Sequence, residues 1–406
     1  MTKILKALLI LLIFTCLCSC SKEKELKIHI ISDVHYAPRN RFEYSGNFKI
    51  SSDTNGTGKQ IQYQEEIIDA YINEELENNP DYIFVTGDMV FSGSKENHIA
   101  FADKFKRLID NGIKVLLIPG NHDFDSEPIN GISESAIIYG SSITKDDFLN
   151  IYSSFGYSDA DSIDDNSLSY SYKLDNTTYL IALDTISNYG KTDGSIKEKT
   201  LAWIEERLNY AKNKNLDVII IGHHNLYLHN EMFEYGYTLN NSQKLINLMK
   251  KYNVKLYISG HMHIQDIWSN SSITEVLNQS FTLYPHRYGE LIITNHKYQY
   301  LAKSTNVEKY GDQSIEDIKN YNSVGYNFLY NNFYSQRLNS IKKDKIDDDT
   351  LNLVDLETII NMNYFMGIKD NTDYSNLLES DQVSIYIKLL LKHLDENNLS
   401  INGSLN

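Results

Sequence analysis

The chain has 406 residues, of which 41% are hydrophobic and 23% charged, and its formal net charge is −16. This composition is ordinary for a soluble globular protein and excludes a fibre, a repeat array or a largely disordered chain. The length suffices for two domains. The acidic balance disfavours binding of polymeric nucleic acid through the protein's own surface, so an anionic ligand would need a local source of positive charge, such as bound metal ions.

The first residues have the pattern of a secretory signal. Lys3 and Lys6 precede the apolar run of residues 7–14, and the charged residues 21–25 follow it. The apolar run is short for a bilayer span, which favours a signal over an uncleaved membrane anchor.

The end of this segment, Leu17-Cys18-Ser19-Cys20, resembles a bacterial lipobox. The resemblance implies a lipoprotein signal peptide over residues 1–19, cleaved before Cys20, which then carries the lipids. Two acyl chains would give stable attachment, so we expect the mature protein on the extracellular face of a bacterial cell membrane. A plain signal peptide and a membrane anchor are the alternatives. The third cysteine also lies in this segment, so a metal bound further along the chain must use nitrogen and oxygen ligands.

From residue 26 to about 303, short β-branched runs alternate with amphipathic stretches of helical period. In chain order the pattern predicts strand 26–31, helix 61–76, strand 82–85, helix 97–110, strand 115–118, paired strands 170–174 and 179–183, helix 201–211, strand 218–221, helix 243–250 and strand 256–258. Shorter strands follow. This alternation predicts an α/β catalytic domain over residues 20–303, with a two-sheet β-sandwich flanked by helices.

Two polar segments, residues 39–59 and 125–140, are predicted to be surface loops that either shape a substrate site or are plain solvent loops. Residues 304–406 are rich in Asn, Tyr, Lys and Asp, with helical spacing over 354–366 and 383–394. They predict a small helical C-terminal domain that packs against or caps the first domain.

Five of the apolar runs end in side chains that can bind metal. The clusters are Asp33 with His35; Asp88; Asn121, His122 and Asp123; His223 with His224; and His261 with His263. In open α/β sheets, ligands bind at the carboxyl ends of strands, where loops from distant parts of the chain converge. Each cluster alone is weak, because a single histidine is more often a surface or core residue than a ligand. All five in one order, each after a strand, make an accident improbable.

Together, Asp33-x-His35, Gly87-Asp88, Gly120-Asn121-His122-Asp123, Gly222-His223 and Gly260-His261-x-His263 resemble the five motifs of the calcineurin-like metallophosphoesterase superfamily. The resemblance covers residues 26–303. It implies that Asp33, His35 and His263 bind one metal and that Asn121, His223 and His261 bind the other. Asp88 would bridge the two metals, and His122 would act beside them with the support of Asp123.

The chemistry agrees with these roles. Two cations ~3.5–4 Å apart can clamp both the attacking and the leaving oxygen at phosphorus, and a hydroxide shared by them can attack at neutral pH. His122 could protonate the leaving oxygen or stabilise charge on the phosphate, which is worth ~10²–10⁴-fold in rate, unless it is only a structural neighbour of the ligands. Imidazole and carboxylate ligands suit two divalent transition-metal ions, with Mn, Fe or Zn expected.

A narrower resemblance points to secreted Gram-positive lipoproteins assigned as cyclic nucleotide phosphodiesterases of the class III type. It is carried by His223-His224-Asn225-Leu226, His229-Asn230, Gly236-Tyr237-Thr238, residues 86–88 with 92–98, residues 152–157, and residues 284–289. Asn225 departs from the proline that many phosphodiesterases of the superfamily have at this position. The resemblance implies hydrolysis of small phosphodiesters, in particular 3′,5′-cyclic nucleotides.

His229, Tyr237 and Arg287 are candidates for contacts with this substrate, with ordinary packing as the alternative. Other functions stay open at this stage. One is a phosphomonoesterase on the same metals, although no arginine within the five motifs offers a grip on a dianion. Another is a metal-binding surface lipoprotein without catalysis. An extracellular nuclease is disfavoured by the acidic charge.

Overall fold

The computed structural model describes residues 25–405, apart from residues 55–57, 189, 342–345, 381–382 and 395. The predicted signal peptide and Cys20 lie outside the described residues, so the lipid anchor stays a prediction. Within the described part of the chain, every helix is too short or too polar to cross a bilayer.

The strands of the described residues are numbered in chain order. They are β1 (Leu26–Ile31), β2 (Tyr82–Val85), β3 (Lys114–Leu117), β4 (Ile129–Ile132), β5 (Ile137–Tyr139), β6 (Ser162–Ile163), β7 (Tyr170–Lys173), β8 (Thr178–Ala182), β9 (Asp217–Ile221), β10 (Leu256–Ser259), β11 (Asp266–Ser269), β12 (Thr274–Leu277), β13 (Arg287–Thr294), β14 (Lys297–Ser304) and β15 (Ser400–Ser404).

The α-helices are numbered in the same way. They are α1 (Gly46–Thr54), α2 (Gln64–Asn78), α3 (Lys95–Asp110), α4 (Lys145–Ile151), α5 (Glu198–Asn213), α6 (Ser242–Lys251), α7 (Val307–Tyr310), α8 (Glu316–Lys319), α9 (Tyr321–Asn339), α10 (Asp348–Phe365), α11 (Ser375–Glu379) and α12 (Ile385–Leu391). Short helical turns lie at Ile61–Tyr63, Asn121–Asp123, Ser153–Tyr157 and Glu231–Phe233.

Two large sheets form the centre of the molecule. The first has the order β15-β14-β13-β1-β2-β3, with β1, β2 and β3 parallel and β13 antiparallel to β1. The second has the order β11-β12-β10-β9-β8-β7-β6, with β8, β9, β10 and β12 parallel. The parallel strands place their carboxyl ends on one edge of the sandwich, where the predicted ligands follow.

The alternation of side chains along β8 shows how the layers are built. Leu180 and Ala182 join the core that lies between the two sheets, whereas Tyr179 and Ile181 join the cluster formed with α5 and α6 on the other face. Successive side chains of a strand point to opposite faces, so one strand serves both layers. The predicted fold class, a two-sheet sandwich flanked by helices, is confirmed.

Both segments predicted to be loops contain regular structure. Residues 39–59 include α1, whose last carbonyl groups, at Ser52 and Asp53, accept hydrogen bonds of 2.9 Å from Asn332 Nδ2 of α9. Residues 125–140 form the β4–β5 hairpin. The loop prediction was wrong because neither segment has an apolar period of its own, and α1 depends on contacts made by a distant part of the chain.

The C-terminal region packs against the carboxyl end of the second sheet. Ile360 and Tyr364 of α10 share an apolar cluster with Met262, Ile264 and Leu277. The last strand, β15, then returns to the first sheet and pairs antiparallel with β14. The boundary near residue 303 stays a prediction. The region does contain the two predicted helices, as α10 and α12, and it lies next to the motif that follows β10.

Candidate dinuclear metal site

The loops after β1 and β2 are tied together by backbone hydrogen bonds. The N–H of Asp33 donates to the carbonyl of Gly87 at 3.1 Å, and the N–H of His35 donates to the carbonyl of Asp88 at 2.9 Å. These bonds continue the pairing of the two parallel strands beyond their ends. They therefore hold the side chains of the first two motifs at one place on the edge of the sheet.

Five of the predicted ligands have a left-handed backbone, with φ between 45° and 73°. They are Asp33, His35, Asp88, His261 and His263. This conformation is uncommon outside glycine, and it persists only where surrounding contacts determine it. Each of these residues turns the chain sharply after a strand, which directs its side chain toward the common centre.

Glycine next to a ligand lets neighbouring loops approach closely. A Cβ added at Gly120 would overlap the carboxylate and backbone N of Asp88, and one added at Gly260 would overlap the side chains of Ser32 and Asp33. The sequence motifs that pair glycine with a ligand therefore follow from the closeness of the loops.

The structure brings the predicted ligands together in two groups that share Asp88. One group is Asp33, His35, Asp88 and His263, and the other is Asp88, His223 and His261; within each group, ligand atoms lie within 4.8 Å of one another. Asn121 joins the second group, because its Oδ1 lies 3.1 Å from Nε2 of His223.

Backbone carbonyls fix the orientation of two of these imidazoles. Nδ1 of His223 lies 2.8 Å from the carbonyl of Thr86, and Nε2 of His261 lies 2.8 Å from the carbonyl of Gly236. A carbonyl only accepts, so these nitrogens carry the protons. Nε2 of His223 and Nδ1 of His261 are then left with lone pairs for a metal.

A pair of divalent cations fits this donor set. Oδ1 of Asp33 is buried and has no hydrogen-bond partner among the described residues. The Nε2 atoms of His35 and His263 lie only 3.1 Å apart, and Nε2 of His263 lies 3.3 Å from that orphaned oxygen. A buried carboxylate oxygen is costly unless it is paired, and a cation among these atoms would satisfy all three.

The protonation states also suit metal binding. Burial and the charge of Lys59 hold the pKa of His35 well below its ordinary range, and burial together with His223 lowers the pKa of His261 to about 4. Burial would raise the pKa of Asp88, but the histidines around it outweigh burial and lower that pKa well below its ordinary range. Neutral imidazoles and an ionised carboxylate are the forms that ligate metals. His223 differs, because Asp88 outweighs burial and raises the pKa of His223 to about 9, so a metal bound there would displace its proton.

His122 and Asp123 have different surroundings. The side chain of His122 is exposed, its ring centroid lies 4.8 Å from that of His35, and its backbone N–H donates to Oδ1 of Asp88 at 2.7 Å. Asp123 is buried, and its two oxygens accept the N–H groups of Gly120 and Val90 at 2.7 and 3.2 Å. The carboxylate that the sequence assigns to orienting the His122 imidazole is thus directed to the backbone, where it shapes the turn.

Lys59 is half-buried and lies near enough to the ligand groups for its charge to lower the pKa of His35 and of His263, and the sequence reasoning missed it. Burial lowers the pKa of Lys59 to about 8, while the charges of Asp88 and Asp33 act in the opposite direction. Its neighbour Gln60 donates a hydrogen bond of 2.9 Å to the carbonyl of Gly325 in α9, which holds this segment in place. A lysine in a polar segment looks like any solvated lysine, so the sequence carried no signal for it.

Of the three predicted substrate contacts, only Tyr237 lies in a cavity beside the metal ligands, with its ring centroid 5.1 Å from that of His261. His229 is buried, with Nδ1 2.7 Å from Asp266 and Nε2 3.2 Å from Glu275. Arg287 is buried as well and donates through Nε to the carbonyl of Met366 at 2.8 Å. His229 and Arg287 therefore make contacts within the protein, which is the packing role that the sequence left open beside a substrate contact.

The contacts of His229 predict a loss of stability on substitution. Burial disfavours its charged form, but Glu275 and Asp266 outweigh burial and raise the pKa of His229 to about 10. In His229→Leu two buried carboxylates lose their counter-charge, so we expect the free energy of unfolding to fall by about 3–5 kcal/mol at pH 6.

Urea unfolding as a function of pH checks this expectation. Because the folded pKa of His229 is raised, its contribution is complete below about pH 6.5, the unfolded value, and is lost as the pH rises through about 10. The difference between wild type and His229→Leu should therefore shrink with rising pH. A difference that stays constant across this range would contradict the charged assignment of His229.

The family model for calcineurin-like phosphoesterase matches residues 26–265, and the chain belongs to this family. The match spans β1 to the loop after β10, and it includes every residue of the two ligand groups.

Individual proteins are more distant. A Xenorhabdus bovienii protein named a probable cyclic nucleotide phosphodiesterase is 26% identical over 192 residues, which is 47% of this chain and 64% of that protein, less than two thirds of its length. A dimetal phosphatase from Danio rerio has a TM-score of 0.49 at 13% identity, covering 69% of this chain and 96% of its own. A phosphopantetheinyl hydrolase from Mycobacterium tuberculosis has a TM-score of 0.33 at 12% identity, covering 64% and 91%.

Proposed function

We propose that the protein is a metal-dependent phosphodiesterase that hydrolyses small phosphodiesters, with 3′,5′-cyclic nucleotides as the favoured substrates. The observation that carries this proposal is the pair of ligand groups that share Asp88. The family assignment supports phosphoester chemistry. The preference for cyclic nucleotides is supported by the motif resemblance and by the name of the Xenorhabdus bovienii relative.

Two divalent cations held by these groups would supply Lewis-acid activation of the phosphate and a water of lowered pKa. The protein's own residues do the remaining work. The N–H of His122 fixes one oxygen of Asp88, which keeps the shared carboxylate in place. The exposed imidazole of His122 stands at the open side of the site, where it can pass a proton to the leaving oxygen.

A phosphomonoesterase is the second candidate, and Lys59 is the observation that favours it. A dianionic monoester needs an additional cation, and the charge of Lys59 lowers the pKa of His35 and of His263. The absence of an arginine from the five motifs is therefore a weaker argument for diesters than the sequence alone suggests.

The test compares two chromogenic esters. We expect residues 21–406, supplied with Mn²⁺, to hydrolyse bis-p-nitrophenyl phosphate faster than p-nitrophenyl phosphate, as a phosphodiesterase would. Chelator should abolish the activity, and Asn121→Ala should strongly reduce it, because Asn121 completes the second ligand group. A cyclic nucleotide panel would follow.

Two other results of this comparison would favour a different function. Faster turnover of the monoester would favour the phosphomonoesterase. Absence of turnover with Mn²⁺, Fe²⁺, Zn²⁺, Co²⁺ or Ni²⁺, with two metals bound per chain, would favour a metal-binding protein without catalysis.

A further inference from the structure

A cavity of about 440 Å³ opens beside the metal ligands and is closed on its far side by the C-terminal helices. His261 and His263 line its inner end, and residues of α9, α10 and α12 line its outer wall. The volume lies within the ~300–1,000 Å³ that small-molecule sites occupy. A substrate whose phosphate reached the metal ligands would extend its remaining part into this space.

The walls of the cavity are aromatic. The rings of Phe233, Tyr237, Phe333, Phe365 and Tyr386 line it. Several of these rings contact one another, with centroid distances of 5.1 Å between Phe233 and Tyr237 and between Phe333 and Phe365. Aromatic walls bind a planar aromatic group by stacking, and they do so without discriminating strongly among such groups.

The charged groups of the outer wall cancel each other. Arg337 of α9 donates through Nε to the carboxylate of Glu357 in α10, and Glu357 also accepts the N–H of Ser384 at 3.3 Å. A phosphate is bound best by a cation that has no other partner, but the charge of Arg337 is already neutralised by Glu357. The outer part of the cavity therefore suits an uncharged group.

Asn361 of α10 provides a polar edge within the aromatic surroundings. The hydroxyl of Tyr386 donates to its Oδ1 at 2.6 Å, which sets the orientation of the amide. The amide nitrogen of Asn361 makes no hydrogen bond within the described part of the chain, so it is available to an acceptor on a ligand. An oriented amide in a stacking pocket is suited to the hydrogen-bonding edge of a heterocycle.

We propose that this cavity binds the base of a nucleotide substrate, and that Asn361 is a specificity-determining residue supplied by the C-terminal region. The proposal rests on the proposed phosphodiesterase function, whose nucleotide substrate it makes more specific. The C-terminal helices would then contribute to selectivity, and the two ligand groups would provide the chemistry.

The test separates base binding from catalysis. Binding of adenosine, guanosine, cytidine and uridine is measured by saturation-transfer NMR with chelator present, so that neither phosphate nor metal contributes. The variants are Asn361→Leu and, as a matched control, Asn352→Leu, an exposed asparagine on the same helix. Turnover of bis-p-nitrophenyl phosphate with Mn²⁺ is measured for all three proteins, and it reports both on folding and on the catalytic site.

We expect the wild type to bind at least one nucleoside. Asn361→Leu should weaken that binding about 3- to 10-fold, as for the loss of one hydrogen bond, or change the order of preference among the bases. Asn352→Leu should leave it unchanged, and both variants should keep diester turnover within about twofold of the wild type, because neither asparagine belongs to the ligand groups.

Absence of nucleoside binding by the wild type, or equal binding by the two variants, would overturn the base site while leaving the phosphodiesterase proposal in place. Failure of the wild type to hydrolyse the diester, with nucleoside binding that depends on Asn361, would reject the phosphodiesterase proposal and retain a nucleoside site. The two failures are therefore distinguishable.

Discussion

Replacing Asp88 by asparagine is expected to lower kcat/KM for bis-p-nitrophenyl phosphate by about 10²- to 10⁴-fold. A catalytic cation stabilises the transition state by several kcal/mol, and each ~1.36 kcal/mol corresponds to a tenfold change in rate. Asp88 is the only residue that belongs to both ligand groups of the described chain. Asparagine keeps the shape and removes the charge that the shared position needs. The metal content, measured by plasma mass spectrometry after dialysis, should fall in parallel with activity.

Asp110→Asn is the matched control, since Asp110 is an exposed aspartate at the end of α3, away from the site. It should keep both metals and full activity. If Asp88→Asn retained two metals per chain and most of the activity, the assignment of Asp88 as the ligand shared by both metals would fail.

His122→Ala should lower the rate without lowering the metal content. For a 3′,5′-cyclic nucleotide we expect kcat to fall by about 10²- to 10⁴-fold, the range for loss of a general acid. The backbone N–H of His122, which holds Asp88, is retained in alanine, so the ligand groups should still form. This combination, lost turnover with two metals bound, distinguishes a catalytic imidazole from a structural one.

His393→Ala serves as the control, because His393 belongs to the C-terminal region and its Nε2 lies 3.8 Å from the exposed side chain of Glu231. It should leave kcat unchanged. The ester itself provides a second comparison. A leaving group as good as p-nitrophenolate needs little protonation, so the loss in His122→Ala should be larger for a cyclic nucleotide, whose leaving alkoxide is a strong base. Equal kcat in His122→Ala and wild type for both substrates would leave His122 without a catalytic role.

The order of strands and ligands could be derived from the sequence because it depends on local patterns. The run of residues 82–85 followed by Gly87 and Asp88 combines an apolar strand with a turn and a ligand within a few residues. The same holds for residues 256–258 with His261 and His263. Because parallel strands bring their carboxyl ends to one edge, local patterns of this kind also predicted that distant side chains would meet.

Other features of the structure depend on contacts that have no such local pattern. The helix α1 is completed by Asn332, nearly three hundred residues further along the chain, and the charged state of His229 depends on carboxylates from β11 and β12. Asp123 follows the ligand motif in sequence, yet its carboxylate turns to the backbone of Gly120 and Val90. Sequence proximity to a functional residue does not determine where a side chain points.

By itself, therefore, the sequence determined the family, the sandwich and the set of side chains that converge on the candidate metal site, because each of these follows from strand periodicity and the residues at strand ends. Its prediction of a lipid anchor on Cys20 concerns residues outside the described chain and stays a prediction. Only the tertiary structure decided that Lys59 lies near enough to Asp88 and Asp33 for their charges to act on it, and that Asn361 and Tyr386 line a cavity beside His261. These residues come from segments without a motif, and their positions depend on how α9, α10 and α12 pack against the end of the second sheet, which no local pattern encodes.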